Sequence, residues 1–192
     1  MNVTRRPGHP MAHREWKERA LDGFLVASAR VGDRKAFELL AERWDPRLQA
    51  HAFRLLGDAD QARDAVQDAW AEIVRGLGSL REEAAFVAWA YRIVSRRCAR
   101  MIRKAQRGRA LERELAAEPA QALTGATDFE RLRAAIRALP PEQRAAVALF
   151  YYDDLSVADI SIALDVPAGT VKTRLMHARR KLRSALEGDT DA

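Results

Sequence analysis

Residues 155–182, LSVADISIALDVPAGTVKTRLMHARRKL, decide the reading of this chain. Ser156 can cap the helix it opens, with Asp159 three residues on in the capping-box position. Ile160, Ala163 and Leu164 recur at helical spacing and form an inner face. Asp165, Val166 and Pro167 make a tight connection, and Pro167 suits a helix start because it has no N–H to leave unpaired. The following helix carries Val171, Leu175, Ala178 and Leu182 on one face. Two short helices about a turn of three or four residues make a helix-turn-helix, whose second helix enters the major groove of duplex DNA.

The outer face of that second helix has matching chemistry. Residues 168–183 hold six bases (Lys172, Arg174, Arg179, Arg180, Lys181, Arg183) and no acid. Lysine and arginine donate to guanine edges or neutralise phosphates, and the hydroxyls of Thr170 and Thr173 can do either. Gly169 lets a backbone come close to the duplex. A helical hairpin with a solvated basic face would carry the same charge. The capped first helix, the turn, the small Ala163 and the unbroken positive face together favour DNA.

Upstream, Phe129, Leu132, Ile136 and Leu139 repeat at helical spacing, Pro140-Pro141 interrupts, and a further helix is expected over residues 142–152. Residues 108–127 are alanine-rich, with Pro119 and Gly125, and read as a linker with a short helical piece near Leu111 to Leu115. Residues 14–107 are helical again. Phe37, Leu40, Trp44, Leu48, Ala52 and Leu55 make one stripe; Gly57-Asp58 reads as a stop and a new start. A second helix is expected over residues 60–77, with Val66, Trp70, Ile73 and Leu77 inward, and a third over 84–103, with Phe86, Trp89, Ile93 and Val94 apolar. No alternating strand pattern occurs, so the expected fold is all-α: two small helical domains, 14–107 and 128–187, joined by a flexible linker.

Two opposed charge fields lie in the first domain. Asp60, Asp64, Asp68 and Glu72 recur every four residues, which sets them in one stripe along a helix. Residues 92–109 hold eight bases (Arg92, Arg96, Arg97, Arg100, Arg103, Lys104, Arg107, Arg109) and no acid. The acidic stripe repels phosphate, so it faces either solvent or a basic protein surface. The basic helix suits nucleic acid. Trp89 and Tyr91 at its start suit stacking on unpaired bases, and Trp89 suits a core position equally.

Composition sets the outer bounds. The chain has 192 residues, 48% of them hydrophobic, a formal charge of +6 and a pI near 10.0, which suit an anionic partner. The longest apolar stretch, residues 145–152, falls far short of the ~20 residues that span a bilayer. Residues 1–13 lack a secretory core and read as a disordered tail, and residues 188–192 read as a short tail. Cys98 is the only cysteine, so no intrachain disulfide forms and a reducing cytoplasm is the expected home. A lone cysteine on a helix reads as packing. His9, His13, His51 and His177 do not cluster at ligand spacing, so neither metal nor cofactor is expected. Without a glycine-rich phosphate loop, a metal cluster or a nucleophile–base pair, no catalytic residue is expected.

These motifs in this order resemble the extracytoplasmic-function (group IV) sigma factors of bacterial RNA polymerase, of the sigma-70 family. The resemblance covers residues 22–187. It is carried by GDRKAFELLAERWDPRL, RLLGDADQARDAVQDAWAEIVRGL and AFVAWAYRIVSRRCARMIRK, then IRALPPEQRAAVALFYYDDLSVADISIALDVPAGTVKTRLMHARRKLRSAL. It implies that the first domain is region two, whose D-x-x-Q-[DE] pattern docks on the clamp helices of the polymerase's largest subunit. The matching residues are Asp64, Gln67 and Asp68, with Glu72 one turn on. It implies that Trp89, Arg92, Arg96, Arg97, Arg100 and Arg103 bind the melted −10 promoter element. Thr170, Lys172, Thr173, Arg174, His177 and Arg180 of region four would then read the −35 duplex.

Arg96 stands where asparagine is common in the family, and His177 where arginine is common, so promoter preference is expected to differ at both. The implied partners are core RNA polymerase, promoter DNA and an anti-sigma factor, which in many cases is membrane-bound. Two other classes fit parts of the pattern. A conventional helix-turn-helix regulator would bind palindromes as a dimer but leaves the first domain unused. An adaptor that mimics a sigma factor would have no need of the basic recognition face.

Overall fold

The computed structural model describes residues 10–113 and 127–187. Among the described residues eight α-helices follow one another: α1 (Pro10–Arg30), α2 (Arg34–Leu56), α3 (Ala59–Gly76), α4 (Phe86–Arg113), α5 (Asp128–Ala138), α6 (Pro141–Val147), α7 (Val157–Leu164) and α8 (Ala168–Glu187). No strand occurs among the described residues.

Local chemistry sets most boundaries. Asp33 caps α2 by accepting from the Ala36 N–H, and Gly57 ends it at φ 77°, a left-handed conformation that costs a residue without Cβ little. Asp58 caps α3 through the Gln61 N–H. Thr127 and Glu130 form a reciprocal capping box on α5. Ser156 caps α7 through the Asp159 N–H at 3.1 Å. Pro46 lies inside α2, where it removes a backbone donor. Burial of its neighbours Trp44 and Leu48 carries the helix through.

Three boundaries differ from the sequence reading. Helix α1 begins at Pro10, inside the expected tail, and proline suits that first position. Helix α4 runs on to Arg113, six residues past the expected domain edge at 107, so the start of the expected linker is helical. After Val147 the chain loosens into a single π turn, Ala148–Tyr152, in place of a continuous helix. The rest of the expected linker, residues 114–126, and the tails at 1–9 and 188–192 lie outside the described residues.

In the first half α2 is the central helix. Leu40, Trp44, Leu48, Ala52 and Leu55 are buried along its inner stripe against Val66, Ala69 and Ile73 of α3 and Phe86, Tyr91, Val94 and Cys98 of α4. Each fully buried leucine or phenylalanine contributes about 1.5–3 kcal/mol. In the second half Leu149, Ile160, Ala163, Val171, Leu175 and Ala178 hold α6, α7 and α8 together. These two sets are not separate cores. One buried cluster runs through both, because α7 packs on α4 and α6 approaches α2.

Candidate nucleic-acid interface

Helices α7 and α8 make the expected helix-turn-helix. Asp165 takes a left-handed conformation at φ 55°, and Ser161 donates to the Val166 carbonyl at 2.7 Å, which fixes the turn. Val171, Leu175 and Ala178 are buried, so the remaining faces of α8 turn outward. Lys172, Thr173 and Arg180 are exposed; Thr170, Arg174 and His177 are half-buried. Thr173 donates its hydroxyl to the Gly169 carbonyl at 3.0 Å, so toward a ligand it offers acceptor lone pairs. Arg180 lies 3.3 Å from Nδ1 of His177.

Helix α3 has a strongly one-sided surface. Ala62, Ala65, Val66, Ala69 and Ile73 are buried, which turns Asp64, Gln67 and Asp68 fully outward and leaves Glu72 partly covered. Beside it, α4 turns Arg96, Arg100 and Arg103 outward. The two charge fields meet. Arg97 donates from Nη1 to Asp68 at 2.8 Å and from Nη2 to Glu72 at 3.2 Å, and Arg96 donates to the other Glu72 oxygen. Arg97 is the better covered of the two arginines, at 18% side-chain exposure against 50%. Asp64, Arg100 and Arg103 make no ion pair among the described residues.

Trp89 is half-buried, tilted on Phe86 with ring centroids 6.4 Å apart. Its ring edge lies over Gly76, where an added Cβ would come within 2.9 Å of Cζ2. Tyr91, the second aromatic at the start of the basic helix, is fully buried and is core. Cys98 is buried too, its thiol pushed up to about 12 by desolvation, so the reactive thiolate is scarce at neutral pH.

Sequence reasoning missed the junction between the halves. His51 is fully buried; its Nδ1 lies 2.9 Å from Asp153 and its Nε2 3.0 Å from Ser95. Arg54 donates to the second Asp153 oxygen at 3.1 Å and packs under the Tyr152 ring. Burial, and then the Asp153 carboxylate, push the Tyr91 phenol far above its ordinary range. Arg144 donates to the Leu55 carbonyl at 2.7 Å, and desolvation lowers its pKa. Arg92, expected to face the −10 strand, pairs with Asp165 of the helix-turn-helix turn at 2.8 Å.

Comparison with known proteins matches this architecture half by half. The Sigma-70 region 2 family matches residues 40–108, and the Sigma-70, region 4 family matches residues 129–182. The ECF RNA polymerase sigma factor SigM of Mycobacterium tuberculosis (strain ATCC 25618 / H37Rv) is 34% identical over 165 residues, covering 86% of this chain and 84% of the relative. This chain is an ECF sigma factor of the sigma-70 family. The ECF RNA polymerase sigma-E factor of Escherichia coli (strain K12) is 30% identical over 186 residues, covering 88% of the sigma factor described here and 96% of the relative. Among solved structures, the sigma factor RpoE of Bartonella quintana, in complex with the anti-sigma factor NepR, superimposes with a TM-score of 0.65 at 26% identity. That match covers 81% of this chain and 99% of the other. As a sigma factor the protein serves promoter-specific initiation of transcription. No described helix is long and apolar enough to cross a membrane.

Proposed function

We propose that this sigma factor divides promoter recognition between residues 14–107, acting as region two, and 128–187, acting as region four. Asp64, Gln67, Asp68 and Glu72 dock it on the clamp helices of core RNA polymerase. Region four grips the −35 duplex through Lys172, Arg174 and Arg180, with Thr170, Thr173 and His177 toward base edges. Region two takes bases of the opened −10 strand on Trp89 and on the basic face formed by Arg92, Arg96, Arg97, Arg100 and Arg103.

Extruding a base costs a few kcal/mol. Contacts available only to unpaired bases offset that cost and favour the open form, so binding itself drives melting. A single helix-turn-helix holds DNA weakly, and attachment to core raises its effective concentration at the promoter. The protein supplies no catalytic residue; RNA synthesis belongs to the polymerase. It works in the cytoplasm, and an anti-sigma factor, as in the complex solved for the Bartonella relative, holds it off.

The observation that carries this reading is the pairing, in one chain, of an outward acidic stripe on α3 with an outward basic face on α8. The test is in vitro transcription from fragmented DNA of the source genome, with purified core polymerase, mapping RNA 5′ ends. Discrete starts that need both core and this protein support it. Binding to discrete DNA sites with no new starts would show a conventional regulator instead.

A further inference from the structure

Glu72 stands between two surfaces that the proposed function keeps apart. One of its oxygens accepts from Arg96 and the other from Arg97 at 3.2 Å. Asp68 accepts from the second Nη of Arg97 at 2.8 Å. Arg97 therefore has both ends of its fork turned into the acidic stripe, and its buried Nε has no hydrogen-bond partner. The carboxylates assigned to the polymerase are the ones that neutralise the arginines assigned to the −10 strand.

A carboxylate oxygen that pairs with a cation of the polymerase is lost, in whole or in part, to the arginine it held. We propose that α3 and α4 form one charge-exchange surface. In the free protein Asp68 and Glu72 screen Arg96 and Arg97 from single-stranded DNA. A cationic protein surface docking on α3 takes over these carboxylates and releases both guanidinium groups toward the strand. Core and strand then bind with positive coupling, and by linkage the strand tightens core binding by the same factor. Asp64 lies on the same helix without an ion pair among the described residues, so it shares the stripe but not the exchange.

This inference rests on the assignments under Proposed function, and the test separates the two. The full chain is titrated with a fluorescein-labelled single strand of mixed sequence, with and without purified core. Glu72→Gln keeps the shape and removes the charge; Asp68→Asn does the same at the second carboxylate. Each is expected to tighten strand binding by the free protein about two- to fivefold, the range an exposed pair supports. Asp60→Asn, an equal change of net charge on the same helix at a residue that pairs with Arg63 and not with α4, is expected to leave it nearly unchanged. The gain that core gives the wild-type protein should shrink in Glu72→Gln. Equal tightening by all three variants would reduce the effect to net charge and overturn the exchange. Unchanged binding in Glu72→Gln and Asp68→Asn would overturn it as well. If Arg96→Ala and Arg97→Ala together leave strand binding by the complete holoenzyme untouched, the −10 assignment itself fails.

Discussion

His51 and Asp153, 102 positions apart in sequence, share a 2.9 Å hydrogen bond with both side chains almost wholly shielded from water. The carboxylate is also the acceptor for Arg54 and for the buried Tyr91 phenol. Removing it leaves several donors without an acceptor in a dry place, and each such group costs about 1–3 kcal/mol. Asp153→Ala is therefore expected to destabilise the packing of α6 and α7 on α2 and α4 by about 2–4 kcal/mol. Urea unfolding and amide exchange in α7 measure this. Exchange in α7 no faster than in the wild type would show that the junction is not held there.

On the proposed division of labour, region two takes a melted strand and region four a separate duplex. Arg92 cannot serve the strand while it pairs with Asp165 at 2.8 Å. The junction is expected to part when the promoter complex forms. Fluorophores on α3 and α8 should report a longer separation in the complex with core and promoter than in the free protein. An unchanged separation would mean that the closed arrangement is the working one.

Most elements of this fold were legible because they are announced locally; α1, which begins inside the expected tail, and the π turn after Val147 were not. Ser156 caps a helix, Gly57 ends one where Asp58 starts the next, and the stripe from Leu40 to Leu55 has one period; the caps at Asp33 and Thr127 emerge only in the structure. The junction was not legible. Nothing in the sequence near His51 says that a carboxylate from the other half will meet it, and its apolar neighbours Leu48, Ala52 and Leu55 conceal a polar network. The two charge fields were visible, but their union was not: at Glu72, pairing with α4 depends on how two helices lie side by side, which no local pattern encodes.

Gly76 is needed where it stands. Its Cα faces the Trp89 ring edge, and a methyl group there would lie 2.9 Å from Cζ2. The rigid indole, already packed on Phe86, must move. Gly76→Ala is expected to cost about 1–3 kcal/mol and to weaken single-strand binding by displacing Trp89. Thermal unfolding and the strand titration test the two effects separately. Normal stability with unchanged tryptophan fluorescence would show that the site gives way freely.

Cys98 gives the protein an alkaline weakness. Burial raises the thiol from 9.0 to about 12, so the folded state keeps its proton where the unfolded chain has lost it. The stabilisation is complete below pH 9.0 and is lost as pH rises from there toward about 12. Stability should fall in that window by up to about 1.4 kcal/mol per pH unit from this group alone. Cys98→Ala should flatten that slope, with Tyr91 left to act in both proteins. At neutral pH a thiol reagent should label the native protein far more slowly than the unfolded one. Rapid native labelling would show access that the buried thiol does not have.

Under the proposed reading of the −35 duplex by α8, the contact between His177 and Arg180 sets what His177 can offer a base. Arginine only donates, so its 3.3 Å contact with Nδ1 makes that nitrogen the acceptor and leaves the proton on Nε2. His177 then offers one donor to a base edge, where arginine would offer two in parallel to O6 and N7 of guanine. His177→Arg is expected to shift −35 preference toward guanine at one position by about 1–3 kcal/mol, leaving core binding intact. Run-off transcription from a promoter library, randomised at the −35 element, reads this directly. An identical preference in both proteins would place His177 on the phosphate backbone rather than on a base.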